Sequence, residues 1–337
     1  MLLEFTESGI FCPKGGFYID PWKPVEKAVI THAHSDHARW GSKQYLCHTL
    51  TKPLLELRLG SNQYQDLPWG KSINVNGVTI SFHPAGHIIG SSQVRLEYKG
   101  EVWVVSGDYK TTADGISGNF EPVPCHTFIT ESTFGLPIYK WLPQETIYQD
   151  IRQWIQQNKE KGRSSVLLAY SLGKAQRVVD AIKETGDKIF VHGAIWNTME
   201  ALRSAGIHIA EVHRITTETP KELLKNAVVI APPSAEGSSW LKRFAPYSIG
   251  ICSGWMQVRG NIRRRNADAG FVLSDHADWD GLNEAVKNAG AERVFVTHGF
   301  QSVFARHLRE QGLEAHEIQT AFGSEENEQK GGMNEHE

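Results

Sequence analysis

Four side chains able to bind a metal fall within one short run, Thr31-His32-Ala33-His34-Ser35-Asp36-His37. Imidazole and carboxylate together suit zinc, manganese or iron, and the lack of thiolates argues against a closed structural zinc site. His32 and His34 alternate around Ala33 and can point one way. Asp36 and His37 lie beyond a turn and can address a second ion. The run just before them, Lys27-Ala28-Val29-Ile30, reads as a buried strand that ends where the ligands begin. A strand end mounts a site well, because sheet hydrogen bonds fix the backbone and leave the loop side chains free.

The same arrangement recurs along the chain. His87 follows a strand in Pro84-Ala85-Gly86-His87, and Asp108 ends Val104-Val105-Ser106-Gly107-Asp108. His298 ends Val294-Phe295-Val296-Thr297-His298, and Asp20 ends Phe17-Tyr18-Ile19-Asp20. One such histidine is unremarkable, but the repetition predicts ligands gathered along one rim of a sheet.

The elements that must carry these residues change in texture near Leu142. Before it, short strands and turns dominate. Asn76-Gly77 and Lys99-Gly100 predict hairpins, His126–Thr130 a further strand ending at Glu131, and Thr51–Leu59 a helix. From Pro143 a helix with Ile147, Ile151, Trp154 and Ile155 on one face opens a stretch of alternating strands and helices up to Cys252. Such alternation implies a parallel sheet with covering helices. A second alternating region begins with a strand over Phe271–Ser274 and continues through a helix over Asp280–Ala289, a strand over Arg293–Thr297 and a helix over Gln301–Gln311 to a strand over Glu314–Gln319. The expected boundaries are 1–140, 141–270, 271–323 and a disordered charged tail, 324–337.

Composition narrows the class. A chain of 337 residues exceeds what one core usually serves, and a net charge of −3 gives no global pull toward nucleic acid. Ten tryptophans are a heavy load that often marks packing or ligand platforms. Cys12, Cys47, Cys125 and Cys252 are scattered, which fits a reduced compartment and buried small residues rather than a disulfide framework. The N-terminus reads as no signal peptide, and no apolar run is long enough for a bilayer, so a soluble, cytoplasmic protein is expected.

His32-Ala33-His34-Ser35-Asp36-His37 resembles the H-x-H-x-D-H signature of the metallo-β-lactamase superfamily, with His87, Asp108 and His298 in matching order and setting. The resemblance implies two divalent ions, Zn2+ foremost with Mn2+ the alternative. His32, His34 and His87 would hold one, and Asp36, His37 and His298 the other. Asp108 would bridge them, and Asp20 would brace the site from behind. The α/β segment between Glu131 and His276 resembles the β-CASP branch, whose members process nucleic acids. Its acidic first motif matches Glu131 in Thr130-Glu131-Ser132-Thr133. Its histidine second motif matches His276 in Ser274-Asp275-His276-Ala277-Asp278, and its third matches His298 in Thr297-His298-Gly299. The implied fold is an αβ/βα metallo-β-lactamase sandwich with an inserted parallel α/β, β-CASP domain.

Within that branch, the compact length and the segment Leu2–Pro13 resemble the bacterial DNA exonucleases associated with DNA ligase, relatives of the Artemis-type repair nucleases. Phosphodiester hydrolysis through a hydroxide activated by two ions is implied, with Asp36 a catalytic ligand, His276 the acid for the leaving oxygen and Glu131 holding it. A DNA ligase and a helicase are the implied partners. One departure stands out: Artemis-type enzymes usually carry valine at the third motif, whereas RNA-cleaving relatives carry histidine, as here at His298. An RNA nuclease resembling RNase J or the 3′-end-processing enzymes is therefore the nearest rival, followed by a small-molecule hydrolase and a non-catalytic scaffold.

Candidate nucleic-acid contacts follow from local chemistry. Ser171-Leu172-Gly173-Lys174 joins a strand to a helix and could cradle a phosphate on free backbone N–H groups, with Lys174 adding charge. Ser253 and Trp255 lie in a turn where the indole could stack a base. Arg259, Arg263, Arg264 and Arg265 form a dense basic cluster that could track a backbone.

Overall fold

A computed structural model describes residues 1–258, 260–261 and 267–318. The chain divides into two compact units: Met1–Lys140 together with the chain from His276, and Trp141–Asp275.

The first unit is built on two sheets. One sets β1 (Glu4–Thr6), β2 (Gly9–Cys12), β3 (Phe17–Ile19), β4 (Lys27–Val29), β5 (Gln44–His48) and β6 (Gln63–Leu67) side by side in that order. It is antiparallel up to β3 and parallel from β3 to β6. The other sets β7 (Ser72–Val75), β8 (Val78–Pro84), β9 (Ser92–Tyr98), β10 (Glu101–Val105), β11 (Thr127–Glu131), β18 (Arg293–Thr297) and β19 (Glu314–Glu317) side by side. Asn76-Gly77 and Lys99-Gly100 make the two hairpin turns, all four residues at positive φ. That geometry matches the right-handed twist of the flanking strands.

Alternation along the central strands explains the layering. Trp103 and Val105 on β10, with Ile129 on β11, enter a core shared with Phe17, Ile19, Val29 and Leu46 of the first sheet. Val104, Phe128, Val294 and Val296 point the opposite way and meet Leu282, Val286, Phe304 and Leu308. Those four lie on α5 (Trp279–Ala289) and α6 (Gln301–Glu310). Side chains of period two on strands buried on both faces produce this result, so the strands read as continuous apolar runs. The architecture is an α/β fold of the metallo-β-lactamase kind. Asp278 caps α5 by accepting from the Gly281 N–H at 2.8 Å.

The second unit is one parallel sheet ordered β14 (His213–Arg214), β13 (Ile189–Val191), β15 (Val228–Ala231), β12 (Ser164–Leu168), β16 (Tyr247–Cys252) and β17 (Ala269–Phe271). Its core joins Leu167, Val191 and Ile230 to Ile147, Ile151 and Ile155 of α2 (Gln144–Glu160), to Val178 and Ile182 of α3 (Lys174–Ile182), and to Met199 of α4 (Gly193–Ser204).

Several expectations need correction. The strand expected at Phe271–Ser274 lies at Ala269–Phe271 and pairs with Gly250–Cys252, so the unit boundary falls after Asp275 rather than at 270. Strands β1, β2, β5 and β6 were not anticipated, and within the alternating stretch Leu241–Phe244 forms a 3-10 turn. Cys125 is half-buried, unlike the other three cysteines, and all four are free. The tail expected at 324–337 lies outside the described residues. Among those described, no helix is long and apolar enough to cross a membrane.

His48, at the end of β5, stacks on Trp69 with ring centroids 4.1 Å apart and planes 10° apart. Burial disfavours its charged form and lowers its pKa from 6.5 to about 4. The unfolded chain therefore binds the proton more readily. Stability should be intact above pH 6.5 and fall as the pH drops toward 4, by at most about 3 kcal/mol from this group. Denaturant unfolding of wild type and His48→Gln across that range should show a flatter acid limb in the variant.

Candidate metal centre

The topology brings the ligand-bearing loops to one edge of the second sheet. Strands β8 and β10 are both antiparallel to β9, and β10, β11 and β18 run parallel. The C-terminal ends of β8, β10, β11 and β18 consequently share an edge, from which His87, Asp108, Glu131 and His298 project. The loop Thr31–His37 leaves the end of β4 in the first sheet, and the Ser92 N–H on β9 donates to the Thr31 carbonyl at 2.9 Å, tying the two sheets there. Arg58, in the last turn of α1 (Lys52–Leu59), donates to the Ala33 carbonyl and fixes the loop from its other side.

Two groups of potential ligands share one carboxylate. His32, His34, His87 and Asp108 present donor atoms within 4.8 Å of one another. The His34 Nδ1 lies 3.2 Å from His32 Nε2 and 3.0 Å from His87 Nε2, while Asp108 Oδ2 is 3.6 and 3.8 Å from the same His32 and His87 nitrogens. His37, Asp108 and His298 form a second such group, and Asp36 Oδ2 lies 3.4 Å from His37 Nε2. Asp108 Oδ2 is 3.4 Å from His37 Nε2, and its Oδ1 is 4.0 Å from His298 Nδ1. Asp108 thus stands between the groups.

The donor set fits divalent cations. Asp36 Oδ1, Asp108 Oδ1 and His37 Nε2 are buried with no hydrogen-bond partner, an expensive arrangement unless an ion satisfies them. Burial opposes ionisation of Asp36 and Asp108, yet the neighbouring His37 holds both carboxyls well below their usual range. Burial likewise opposes charge on His37, and Asp36 and Asp108 outweigh it, raising its pKa well above normal. His32 goes the other way: burial, then His37, lower it well below 6.5. Asp20, Asp36 and Asp108 thus place three carboxyl groups around His37, a pocket chemically suited to a cation.

A second layer sets the imidazole tautomers. Asp20 Oδ2 accepts from His37 Nδ1 at 2.7 Å and from the Thr31 hydroxyl at 2.6 Å, and Oδ1 accepts from the Thr31 N–H at 2.8 Å. The Thr31 hydroxyl, having given its proton to Asp20, can accept from His32 Nδ1 at 3.1 Å. Both Nε2 atoms are thereby turned toward the cluster, the usual way outer partners orient metal-binding histidines. Thr31 was not singled out from the sequence, since a buried threonine carries no motif. Gln301 is a similar case: its amide accepts from the His298 N–H at 3.0 Å and donates to the Ile318 carbonyl at 2.9 Å.

The backbone is shaped to allow this. Asp20 (φ 43°) and His298 (φ 53°) are non-glycine residues in the left-handed region, a cost of order 1 kcal/mol that persists where surroundings over-determine it. Gly107, also at positive φ, brings Asp108 against Thr31, where a Cβ would meet the threonine side chain at 2.6 Å. Gly299 likewise passes so close to the Ser132 backbone that no Cβ fits.

Beside the cluster sits a carboxylate–imidazole pair. His276 Nδ1 donates to Glu131 Oε2 at 2.9 Å, and Glu131 Oε1 accepts from the Tyr109 N–H at 2.7 Å. Both side chains are almost fully buried, and Asp108, Glu131 and His276 form a further group of closely spaced donors. The His276 ring lies 4.5 Å from that of His87.

The candidate nucleic-acid contacts of the second unit find other partners. Lys174 is 2% exposed with its ammonium 3.4 Å from Asp275, so its charge is spent on a buried ion pair rather than offered to a phosphate. Arg177 joins that pair, 3.6 Å from the same carboxylate, which makes Asp275 no surface charge. The Gly173 N–H, expected to be free, donates to Gln176 Oε1 at 2.6 Å, and the Ser171 carbonyl accepts from Gln176 Nε2. Ser253 accepts from the Trp255 N–H as a cap, and Trp255 is 7% exposed, which leaves its faces to packing rather than to a base. Arg259, Arg263, Arg264 and Arg265 lie outside the described residues.

A two-sheet α/β sandwich with a histidine–aspartate cluster on its strand-end rim defines a metallo-β-lactamase-like class. No family model matches the chain. Among curated proteins it is 33% identical over 318 residues to a probable DNA ligase of Opitutus terrae, covering 91% of this chain and 30% of that protein. It is 22% identical over 184 residues to an RNase J-like protein of Methanocaldococcus jannaschii (47% of this chain, 43% of that one). It is also 25% identical over 125 residues to endoribonuclease YSH1 of Saccharomyces cerevisiae (36% and 16%). The chain therefore spans less than half the length of these relatives. A solved structure of a protein of unknown function from Enterococcus faecalis shares the fold, with TM-score 0.61 and 13% identity over 88% of this chain and 80% of that one. Fold and ligand cluster agree with the metallo-β-lactamase resemblance read from the sequence, and the relatives carry the names of a DNA ligase and of ribonucleases.

Removing the hydroxyl that links Asp20 to His32 should loosen the cluster without unfolding the sandwich. Thr31→Val is expected to weaken divalent-metal affinity by about 10- to 100-fold in chelator competition, with thermal stability of the metal-free protein little changed.

Proposed function

We propose that this protein is a metal-dependent DNA exonuclease that hydrolyses phosphodiester bonds and works alongside a DNA ligase. The reading rests on one observation above the rest: the Glu131–His276 pair lies within donor distance of Asp108, so a proton-handling group stands beside the ligand cluster. A small-molecule hydrolase needs no such pair and no second α/β unit, which we take to be the inserted β-CASP domain.

In this proposal His32, His34 and His87 would hold one ion, Asp36, His37 and His298 the other, and Asp108 would serve both. Two divalent ions, zinc or manganese, would supply Lewis acidity and charge neutralisation at a phosphodiester. The chain's own residues do the rest. Asp20 and Thr31 hold the imidazoles in their ligating tautomers. Glu131, braced by the Tyr109 N–H, accepts from His276 Nδ1, fixing the ring and stabilising its protonated form. His276 can then deliver a proton to the leaving oxygen.

The substrate assignment draws on the similarity to a probable DNA ligase, which runs along nine-tenths of the chain and accounts for 30% of that protein. That such a region makes up part of a protein named a probable DNA ligase favours DNA and a ligase partner. The second reading, an RNA nuclease, is favoured by His298 and by the names of the shorter matches.

With manganese or zinc and end-labelled single strands of one sequence, wild type should release mononucleotides from DNA, and Asp36→Ala/His37→Ala should not. Cleavage of RNA alone would transfer the protein to the second reading. His276→Ala should lower kcat by roughly 10²- to 10⁴-fold with metal content near that of wild type. Loss of metal together with activity would make His276 a ligand instead.

A further inference from the structure

Of the ten tryptophans, nine are buried or half-buried. Trp40 is 74% exposed, more than any other large apolar side chain among the described residues. Nothing in its backbone explains this as looseness. The buried Tyr45 hydroxyl donates to the Arg39 carbonyl at 2.8 Å and accepts from the Ser42 N–H at 3.0 Å, gripping the chain on either side of Trp40-Gly41. The Ala38 N–H donates to the His34 carbonyl at 2.9 Å, which ties this turn to the ligand loop. Gly41 sits at φ +100°, against Pro24. The ring is therefore displayed from a fixed platform while contributing little to the core.

We propose that Trp40 stacks a nucleobase of the single-stranded substrate close to the metal centre. This rests on the nuclease reading above and deepens it. Trp40 lies three residues beyond His37, so their Cα atoms are at most about 11 Å apart, and a stacked strand rises about 3.4 Å per nucleotide. The base it reaches thus belongs to one of the few nucleotides nearest the reacting phosphate.

The surroundings favour a base over a protein surface. Segments 22–27 and 39–43 are tied together by the Lys43 N–H on the Val25 carbonyl and the Val25 N–H on the Ser42 hydroxyl, both near 3 Å. They carry Lys23, Lys27, Arg39 and Lys43, with Glu26 as the acidic member of the segments, paired to Lys43, while Lys23 is paired to Glu7 at 3.5 Å. An exposed aromatic ring among cations is what base stacking with backbone attraction uses.

The test measures binding of a short fluorescein-labelled oligothymidylate, with EDTA present to prevent cleavage, to wild type, Trp40→Ala and Trp40→Phe. An abasic oligonucleotide of equal length runs in parallel. Trp40→Ala should bind oligothymidylate about 5- to 150-fold more weakly, Trp40→Phe should lose less, and the abasic strand should bind all three alike. In steady-state cleavage the loss should appear in KM rather than kcat. Unchanged oligothymidylate binding by Trp40→Ala overturns the inference and leaves the ring to a protein partner. An equal loss on the abasic strand overturns it too, since the effect would then lie in the backbone contacts. Manganese-dependent hydrolysis of bis(p-nitrophenyl) phosphate by wild type separates the two claims. If that hydrolysis stands while the stacking result is negative, only the role of Trp40 fails. If wild type neither hydrolyses it nor binds oligothymidylate, the nuclease reading fails and this inference with it.

Discussion

The arrangement turns on Asp108, a buried carboxylate within reach of both histidine groups. Its two oxygens face different neighbours, Oδ2 toward His32, His37 and His87 and Oδ1 toward His298. Ionised carboxylates are costly to bury, so Asp108 and Asp36 require positive charge nearby. His37 supplies part of it, which is why its own pKa rises while theirs fall. A divalent cation would take over the role of the His37 proton, so metal and proton compete for one set of lone pairs.

Everything around the cluster maintains that geometry. The ligands sit on loops at strand ends, whose backbones are held by the sheets, and the left-handed turns at Asp20 and His298 aim side chains that an extended chain would direct elsewhere. Gly107 and Gly299 permit approaches that any side chain would block. Ser132, following Glu131, donates to the His298 carbonyl and couples the carboxylate–imidazole pair to the last ligand. The strain is local, and the two apolar cores of the first unit lie on either face of the second sheet to sustain it.

The chemistry was more legible in the sequence than its supports. Ligands such as His87, Asp108 and His298 announce themselves because each follows an apolar strand and a turn. Thr31 and Gln301 do not, because a hydroxyl or amide earns its role only from neighbours that folding brings. Strand β6, Gln63-Tyr64-Gln65-Asp66-Leu67, alternates half-buried and exposed residues at the sheet edge, and its polar composition reads as a loop. The boundary near Asp275 was misplaced because Phe271–Ser274 looks like a new strand, whereas the ladder to β16 is made by Ala269–Phe271. Lys174 looked available because sequence cannot show a buried partner as distant as Asp275.

The claim that Asp108 joins two metal positions is open to direct spectroscopy. Manganese would be titrated into metal-free protein from one to two equivalents and followed by electron paramagnetic resonance. Ions sharing a carboxylate about 4 Å apart are expected to give an exchange-coupled spectrum at two equivalents. A spectrum of isolated ions at that loading would contradict the shared site and, with it, the two-ion centre proposed for this protein.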